Sequence, residues 1–256
     1  MEAIEFCKSV NEELASFHSF QLTDLAESFL MDRLETKFLL DQKQLFAVLR
    51  AYKDWRVLAF NDEIEPYVQS YVTTYYDDKN LSSYYDHFRG KTNRFKLRKR
   101  FYSSTQQTYI EIKQKNNKGQ TNKKRSLLKK DQDVTSSKID DLVRLEKLEL
   151  SFSDFKEQLT SKFSRVVLVD PLFEKKMTID FNLRFEKGQE VKAINEQVVI
   201  ELKYRKSPRL DIKKITNLGA KESSFSKYCI GTALLNQSVK KNSFKPTLIK
   251  INQWNS

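Results

Sequence analysis

Four segments of the chain alternate ions with apolar residues at a step of two. Glu35-Thr36-Lys37, Glu111-Ile112-Lys113 and Glu201-Leu202-Lys203 each place a carboxylate two residues before a lysine, and Lys96-Leu97-Arg98-Lys99-Arg100 sets cations at the same step. Successive side chains of a β-strand point to opposite faces. Each segment therefore has one charged face, and one built mostly from Leu34 and Phe38, from Phe95, Leu97 and Phe101, from Ile110 and Ile112, or from Ile200, Leu202 and Tyr204. Such strands either wet their charged side on an open sheet or curl until the charged sides meet in a lumen.

Patterning elsewhere predicts an α+β protein. Residues 1–27 read as a helical arm, with Ile4, Phe6, Leu14, Phe17 and Leu25 available for packing, ahead of a domain over 28–256. A strand follows at about 31–40, and Asp41 is placed to cap a helix reaching Trp55. Strands are predicted at 57–60 and 67–76, then a short helix at 80–88 ended by Gly90. Three more strands cover 92–102, 107–115 and 121–128, the last two joined by the turn signal Asn116-Asn117-Lys118-Gly119. A polar loop occupies 129–137, and helices are predicted at 139–150 and 152–162. Strands return at 165–169, 177–185 and 197–205; a helix starts after Pro208, another spans 225–239, and a last strand covers 247–254. Eight or nine strands in mainly meander order, with helices at both ends and in the middle, imply an antiparallel sheet or barrel decorated with helices.

Composition narrows the partners. At 256 residues the chain can bury a real core, and a net charge of +12 points to an anionic partner such as nucleotide, polyphosphate, nucleic acid or acidic membrane. Cys7 and Cys229 are too few for a disulfide framework or a zinc site, and His18 and His87 are isolated, so neither zinc nor histidine-based catalysis is expected. No apolar run approaches the ~20 residues that span a bilayer, so a cytoplasmic protein without a transmembrane segment is expected. Tyr75, Tyr76, Tyr84, Tyr85, Phe101 and Tyr102 could stack on bases, but no RNA-binding or zinc-finger signature accompanies them, and nucleic acid is not the expected partner. There is no Walker A loop, GxGxxG or kinase signature, so any bound nucleotide is not held by a glycine loop.

If the charged faces share one cavity, it contains Arg33, Glu35, Lys37, Lys96, Arg98, Arg100, Glu111, Lys113, Lys115, Lys176, Asp180, Arg184, Glu201, Lys203 and Arg205. Cations outnumber carboxylates eleven to four, an imbalance that needs water and a polyanion. Phosphate chains suit it, since arginine supplies planar paired donors and lysine compact point charges. A pure anion site would shun carboxylates, so Glu35, Glu111 and Glu201 make sense where some of them hold a hard divalent ion that bridges ligand oxygens. The competing account is that each glutamate simply pairs with the lysine two positions along on a wet sheet.

These segments, taken in order, resemble the VTC domain, the polyphosphate polymerase domain of the triphosphate tunnel metalloenzyme (CYTH-like) superfamily. The stretches that carry the likeness are Arg33-Leu-Glu-Thr-Lys-Phe38, Tyr75-Tyr-Asp77, Lys96-Leu-Arg-Lys-Arg-Phe-Tyr102, Tyr109-Ile-Glu-Ile-Lys113, Lys123-Lys-Arg125, Met177-Thr-Ile-Asp180, Val199-Ile-Glu-Leu-Lys-Tyr204 and Phe225-Ser-Lys-Tyr228. The resemblance implies an antiparallel eight-stranded β-barrel that binds ATP or another triphosphate, uses Mn2+ or Mg2+, and moves the γ-phosphoryl onto inorganic polyphosphate. It implies a catalytic set of Arg98, Arg100, Lys113 and Lys37, and phosphate contacts from Lys203 and from Lys124 or Arg125. Arg33, Lys96, Lys115, Lys176 and Arg184 join them as phosphate-binding cations of the lumen. Glu201 would be the metal ligand with Glu35 a second, and Ser226 and Lys227 would close one end of the tunnel. Lys175-Lys176 stands where the family commonly has an arginine, and lysine cannot reproduce its bidentate clamp. The alternatives are a triphosphatase or polyphosphatase of the same superfamily, and a non-catalytic polyphosphate- or nucleotide-binding module. Protein partners are not specified by the sequence.

Overall fold

Each of the four alternating segments is a strand in the computed structural model, which describes residues 3–24, 34–60, 62–117, 121–128, 154–205 and 208–254. The strands are β1 (His18–Phe20), β2 (Leu34–Asp41), β3 (Arg56–Leu58), β4 (Gln69–Asp77), β5 (Arg94–Tyr102), β6 (Gln107–Lys115), β7 (Thr121–Leu128), β8 (Lys156–Val169), β9 (Lys175–Lys187), β10 (Glu190–Ile194), β11 (Gln197–Tyr204) and β12 (Lys221–Glu222). The helices are α1 (Ala3–Leu14), α2 (Leu45–Ala51), α3 (Ser82–Phe88), α4 (Arg209–Asn217), α5 (Lys227–Leu235) and α6 (Lys245–Trp254). Among the described residues one sheet runs in the order β12-β2-β11-β9-β8-β4-β5-β6-β7, antiparallel at every step. The α+β class and the tunnel-like antiparallel sheet stand as predicted, although no ladder closes the ring among these residues.

Register decides which residues share a face. Glu201 lies opposite Lys37 and Thr178, Asp180 opposite Arg165, Thr73 opposite Arg100, Arg98 opposite Glu111, and Lys113 opposite Lys123. One face thus carries ions on β2, β11, β9, β8, β5, β6 and β7, with Tyr71, Thr73 and Tyr75 of β4 between them. The other face of β2, β11, β9 and β8 carries Phe38, Leu40, Ile200, Leu202, Met177, Ile179, Val166 and Leu168. Phe6, Val10 and Leu14 of α1, Leu45, Val48 and Leu49 of α2, and Ile215 of α4 pack on it. The same face of β5–β7 holds a smaller core of Leu97, Ile110, Ile112 and Leu128. Helices α1, α2 and α4 thus cover this outer side, which leaves the charged side to turn inward.

One end of the charged face is plugged. Of the nine residues in α5, seven are buried, so the helix has no wet face and lies inside the fold. Tyr228, Cys229, Ile230 and Ala233 pack with Leu39, Val199, Tyr75, Leu159 and Phe185, and the helix approaches so closely that a Cβ on Gly231 would fall 2.6 Å from the Phe185 ring. The Asp77 carboxylate accepts from Tyr228 Oη at 2.5 Å and from the amides of Ser83 and Tyr84, joining α5 and α3 to the end of β4.

Several element predictions need correction. Residues 156–162 do not form a helix but the start of β8: the two lysines, Glu157 and Gln158 favour a helix locally, yet Leu159, Ser161 and Phe163 face one way and pair with Tyr75, Thr73 and Tyr71. The tail is α6 rather than a strand, with Leu248 and Ile251 packed into the α5 cluster. Within 1–27 the helix ends at Leu14, and His18–Phe20 pairs in parallel with β3. The loop and helix predicted at 129–137 and 139–150 lie outside the described residues. Asp41 caps as expected, its side chain accepting from Lys43 N at 2.8 Å, but the capped element is one 3-10 turn ahead of α2.

Candidate functional site

The charged face closes on itself across the sheet. Lys113 Nζ of β6 stands 3.8 Å from Glu35 Oε2 of β2, although five strands separate them along the hydrogen-bonded path. Charges on an open sheet could not meet this way. The faces look at each other across a bore, and the account in which each glutamate pairs only with its neighbouring lysine fails.

Two carboxylates sit at this meeting point. Lys37 pairs with Glu35 and, at 3.2 Å, with Glu201 Oε2; Lys203 lies 2.8 Å from Glu201 Oε1 and 4.0 Å from Glu35 Oε2. Burial alone would raise the Glu201 pKa, but Lys203, Lys37 and Lys113 outweigh it and hold the carboxyl well below the usual range. Thr178, opposite Glu201 in register, has a buried hydroxyl with no hydrogen-bond partner among the described residues. A magnesium-like ion binds one or two carboxylates plus waters and substrate oxygens. Glu35 and Glu201 are the carboxylates that would hold such an ion, with Thr178 across the ladder from Glu201, although no group of three carboxylate, histidine or cysteine side chains gathers among the described residues.

The opposite wall is arginine-rich. Arg98 Nε donates to Glu111 Oε2 at 2.6 Å, and Lys123 also pairs with Glu111, whose side chain is fully buried. Burial favours the neutral acid there, yet Arg98 and Lys123 keep Glu111 ionised, far below its ordinary pKa. Glu111 is thus the counterion that holds this wall in place. Arg100 donates to Thr73 Oγ1 at 3.0 Å and lies over the Tyr71 and Phe163 rings. Arg165 grips Asp180 through Nε at 2.5 Å and Nη2 at 2.7 Å, with Lys227 on the same carboxylate. The bidentate guanidinium on this wall therefore comes from β8, not from the Lys175-Lys176 position.

At the plugged end, Lys96 Nζ donates to Ser226 Oγ at 2.8 Å and stands 3.0 Å from His87 Nδ1. Ser226 also caps α5 by accepting from Cys229 N. Burial, then the surrounding Lys96, Arg94, Lys37 and Lys115, keep the imidazole neutral, so Nδ1 accepts from Lys96. Burial also brings the Lys96, Lys113 and Lys227 ammonium groups down to about 8 and Lys123 to about 7. Lysines with depressed pKa values lose charge as pH climbs through 7–8, and an incoming polyanion restores it. Binding should therefore take up protons, and tripolyphosphate affinity should fall at least about tenfold between pH 7 and 9. Calorimetry in two buffers of different ionisation enthalpy would check this; binding without proton uptake would contradict it.

The sequence-predicted residues do not all arrive. Glu35, Lys37, Lys96, Arg98, Arg100, Lys113, Lys115, Lys176, Lys203 and Glu201 lie on the bore face, and Ser226 and Lys227 meet it from α5. Arg33 lies outside the described residues. Arg184 points outward and pairs with Glu186 at 2.8 Å. Asn182, at φ 52°, accompanies a register shift in β9 that moves Arg184 to the side opposite Asp180. Lys124 sits opposite Ile112 and shares the outer face, whereas Lys123 and Arg125 face inward. Lys123 and Arg165 were missed. The two-residue step would have found Lys123, which shares parity with Arg125, and the helix prediction over 152–162 obscured the Ser161-Phe163-Arg165 alternation.

Comparisons with known proteins agree with this architecture. A model of the VTC domain matches residues 32–236. An adenylyl cyclase candidate from Hippeastrum, reported to have a dominant triphosphatase activity, superposes with a TM-score of 0.50 at 14% identity, covering 79% of this chain and 96% of that one. The PH1819 protein of Pyrococcus horikoshii gives a TM-score of 0.44 at 15% identity, covering 78% and 97%. At such identities the Hippeastrum likeness speaks to the fold alone. A search of curated proteins finds no match. No helix among the described residues is long and apolar enough to cross a membrane.

Proposed function

Because the chain belongs to the VTC domain family, we propose that it is a metal-dependent phosphotransferase that moves the γ-phosphoryl of ATP onto inorganic polyphosphate. The observation that carries this reading is the bore itself: two arginines and several lysines on one wall face Glu35 and Glu201 on the other, with Lys113 spanning to Glu35. In-line phosphoryl transfer asks little covalent chemistry of a protein, and positioning with charge neutralisation supplies most of the rate.

Arg98, Arg100 and Lys113 would take the equatorial oxygens of the transferring group, the Arg98 guanidinium fixed beforehand by Glu111 and that of Arg100 by Thr73. Lys37 and Lys203 would turn from the glutamates to phosphate oxygens once ligand enters. Glu201 and Glu35 would hold Mg2+ or Mn2+, whose chemistry is to neutralise and orient phosphate oxygens. Lys96, Ser226 and Lys227 would seat phosphates at the α5 end, where the helix N-terminus adds amide donors. The acceptor phosphate is already ionised, so no general base is required and a neutral His87 is no obstacle. A cytoplasmic location belongs to the same proposal.

The test is to incubate the purified protein with ATP and Mn2+ or Mg2+ and resolve long-chain polyphosphate from orthophosphate. Chain formation is the expected result. Orthophosphate release without chains would make the protein a triphosphatase, and binding without turnover a polyphosphate-binding module; either would overturn the proposal.

A further inference from the structure

The bore face changes character along its length. Ions give way, two residues from Glu111 (about 7 Å along the strand), to Tyr109 of β6, which lies opposite Arg100 on one side and Leu127 on the other. Leu127 is 48% exposed. Arg125 lies opposite Glu111 in register, yet its guanidinium sits 4.7 Å above the Tyr109 ring, because Glu111 is already taken by Arg98 and Lys123. Tyr102 meets the Tyr109 ring edge-on at 5.7 Å, and Tyr109 Oη donates to Gln107 Oε1 at 2.9 Å, which fixes the ring plane. The apolar core of these strands is filled from their other face by Ile110, Ile112 and Leu128, so neither Tyr109 nor Leu127 is needed to complete it. What results is a flat cation–aromatic pair with exposed apolar surface beside it, next to the arginine wall.

We infer that Tyr109 and Arg125, flanked by Tyr102 and Leu127, form a platform for the nucleobase of the phosphoryl donor, so that this end of the bore selects a nucleoside triphosphate over a bare phosphate chain. The inference rests on the donor-binding reading above and adds to it where the nucleoside lies. A base stacks on the exposed side of the pair, and its polyphosphate runs past Glu111 to Arg98 and Arg100. Arg125 then serves the base rather than a phosphate. Hydrogen-bond readout of the base is not part of the platform, so purine identity matters little beyond stacking area.

The test is equilibrium binding of ATP and of inorganic tripolyphosphate without metal, which needs no turnover. Base stacking on an aromatic is generally worth roughly five- to a hundredfold in affinity. Tyr109→Ala should weaken ATP about tenfold and leave tripolyphosphate within about twofold; Tyr109→Trp should restore ATP. Arg125→Gln, at an exposed position, should also weaken ATP selectively and serves where the alanine variant does not fold. Equal losses for both ligands in Arg125→Gln would make Arg125 a phosphate contact and overturn the platform, as would unchanged ATP affinity in Tyr109→Ala. A wild-type protein that shows the selective pattern but forms no polyphosphate would refute the polymerase reading and leave the platform standing.

Discussion

Glu201→Gln is expected to lower metal-dependent turnover at least about a hundredfold while tripolyphosphate binding without metal stays equal or tightens. The amide keeps the size and one acceptor of the carboxylate, so the local packing of β11 against β2 and β9 survives. What disappears is a negative charge that lies 3.2 Å from Lys37 and 2.8 Å from Lys203. Released from Glu201, both ammonium groups turn toward phosphate, which is why affinity for a bare polyanion does not fall. Altering even an outer partner of a metal ligand commonly costs ten- to a hundredfold in metal affinity or activity, and removing a ligand belongs at or beyond the upper end of that range. The two measurements are initial rates of chain formation at saturating ATP and Mn2+, and the tripolyphosphate Kd by calorimetry. Near-normal turnover in this variant would show that Glu201 is a counterion to two lysines and nothing more.

Most of the wall was legible because it is written in a period of two. The alternation in 94–102 and 107–115 places Lys96, Arg98, Arg100, Glu111 and Lys113 on one face whatever the sheet does next. The choice between an open sheet and a bore was not local. It depends on Lys113 reaching Glu35, a meeting set by the curl of all the intervening strands, and no window of sequence contains it. Parity also fails at irregularities. Counting by two carries Arg184 inward with Asp180, but the left-handed Asn182 adds a step and sends it out beside Glu186.

The start of β8 shows the other limit. Residues 154–162 are rich in helix-favouring side chains, and nothing nearby opposes a helix. Pairing with β4 and β9 overrides that preference, because Leu159 and Phe163 bury only as strand residues. Arg165 opens the strand predicted at 165–169, but without the preceding half of β8 its alternation with Ser161 and Phe163 is hidden, and with it the grip on Asp180. The short β1, β10 and β12 carry too few residues for a pattern; β10 and β12 exist because the longer β9 and β2 offer them edges, and β1 because it pairs with the equally short β3.

Arg98→Ala should do two separable things. Its side chain is the neutralising partner of Glu111, which is completely buried and otherwise paired with Lys123 and, at 3.3 Å, the Tyr102 hydroxyl. Deleting one member of a buried pair typically costs about 3–5 kcal/mol, since the remaining charge keeps its desolvation penalty. Arg98 retains some exposure and Lys123 stays behind, so a loss near 3 kcal/mol is expected, read as a lower denaturation midpoint. Phosphate affinity should drop as well. The double variant Arg98→Ala/Glu111→Gln removes the stranded charge and should recover most of the stability, leaving Lys123 to water. It should not recover tripolyphosphate binding, because the guanidinium that meets the ligand is still gone. The cycle therefore separates the arginine's part in folding from its part in the bore. If the double variant bound tripolyphosphate as the wild type does, Arg98 would be a structural residue only, and the phosphate grip would have to come from Arg100, Lys113 and Arg165.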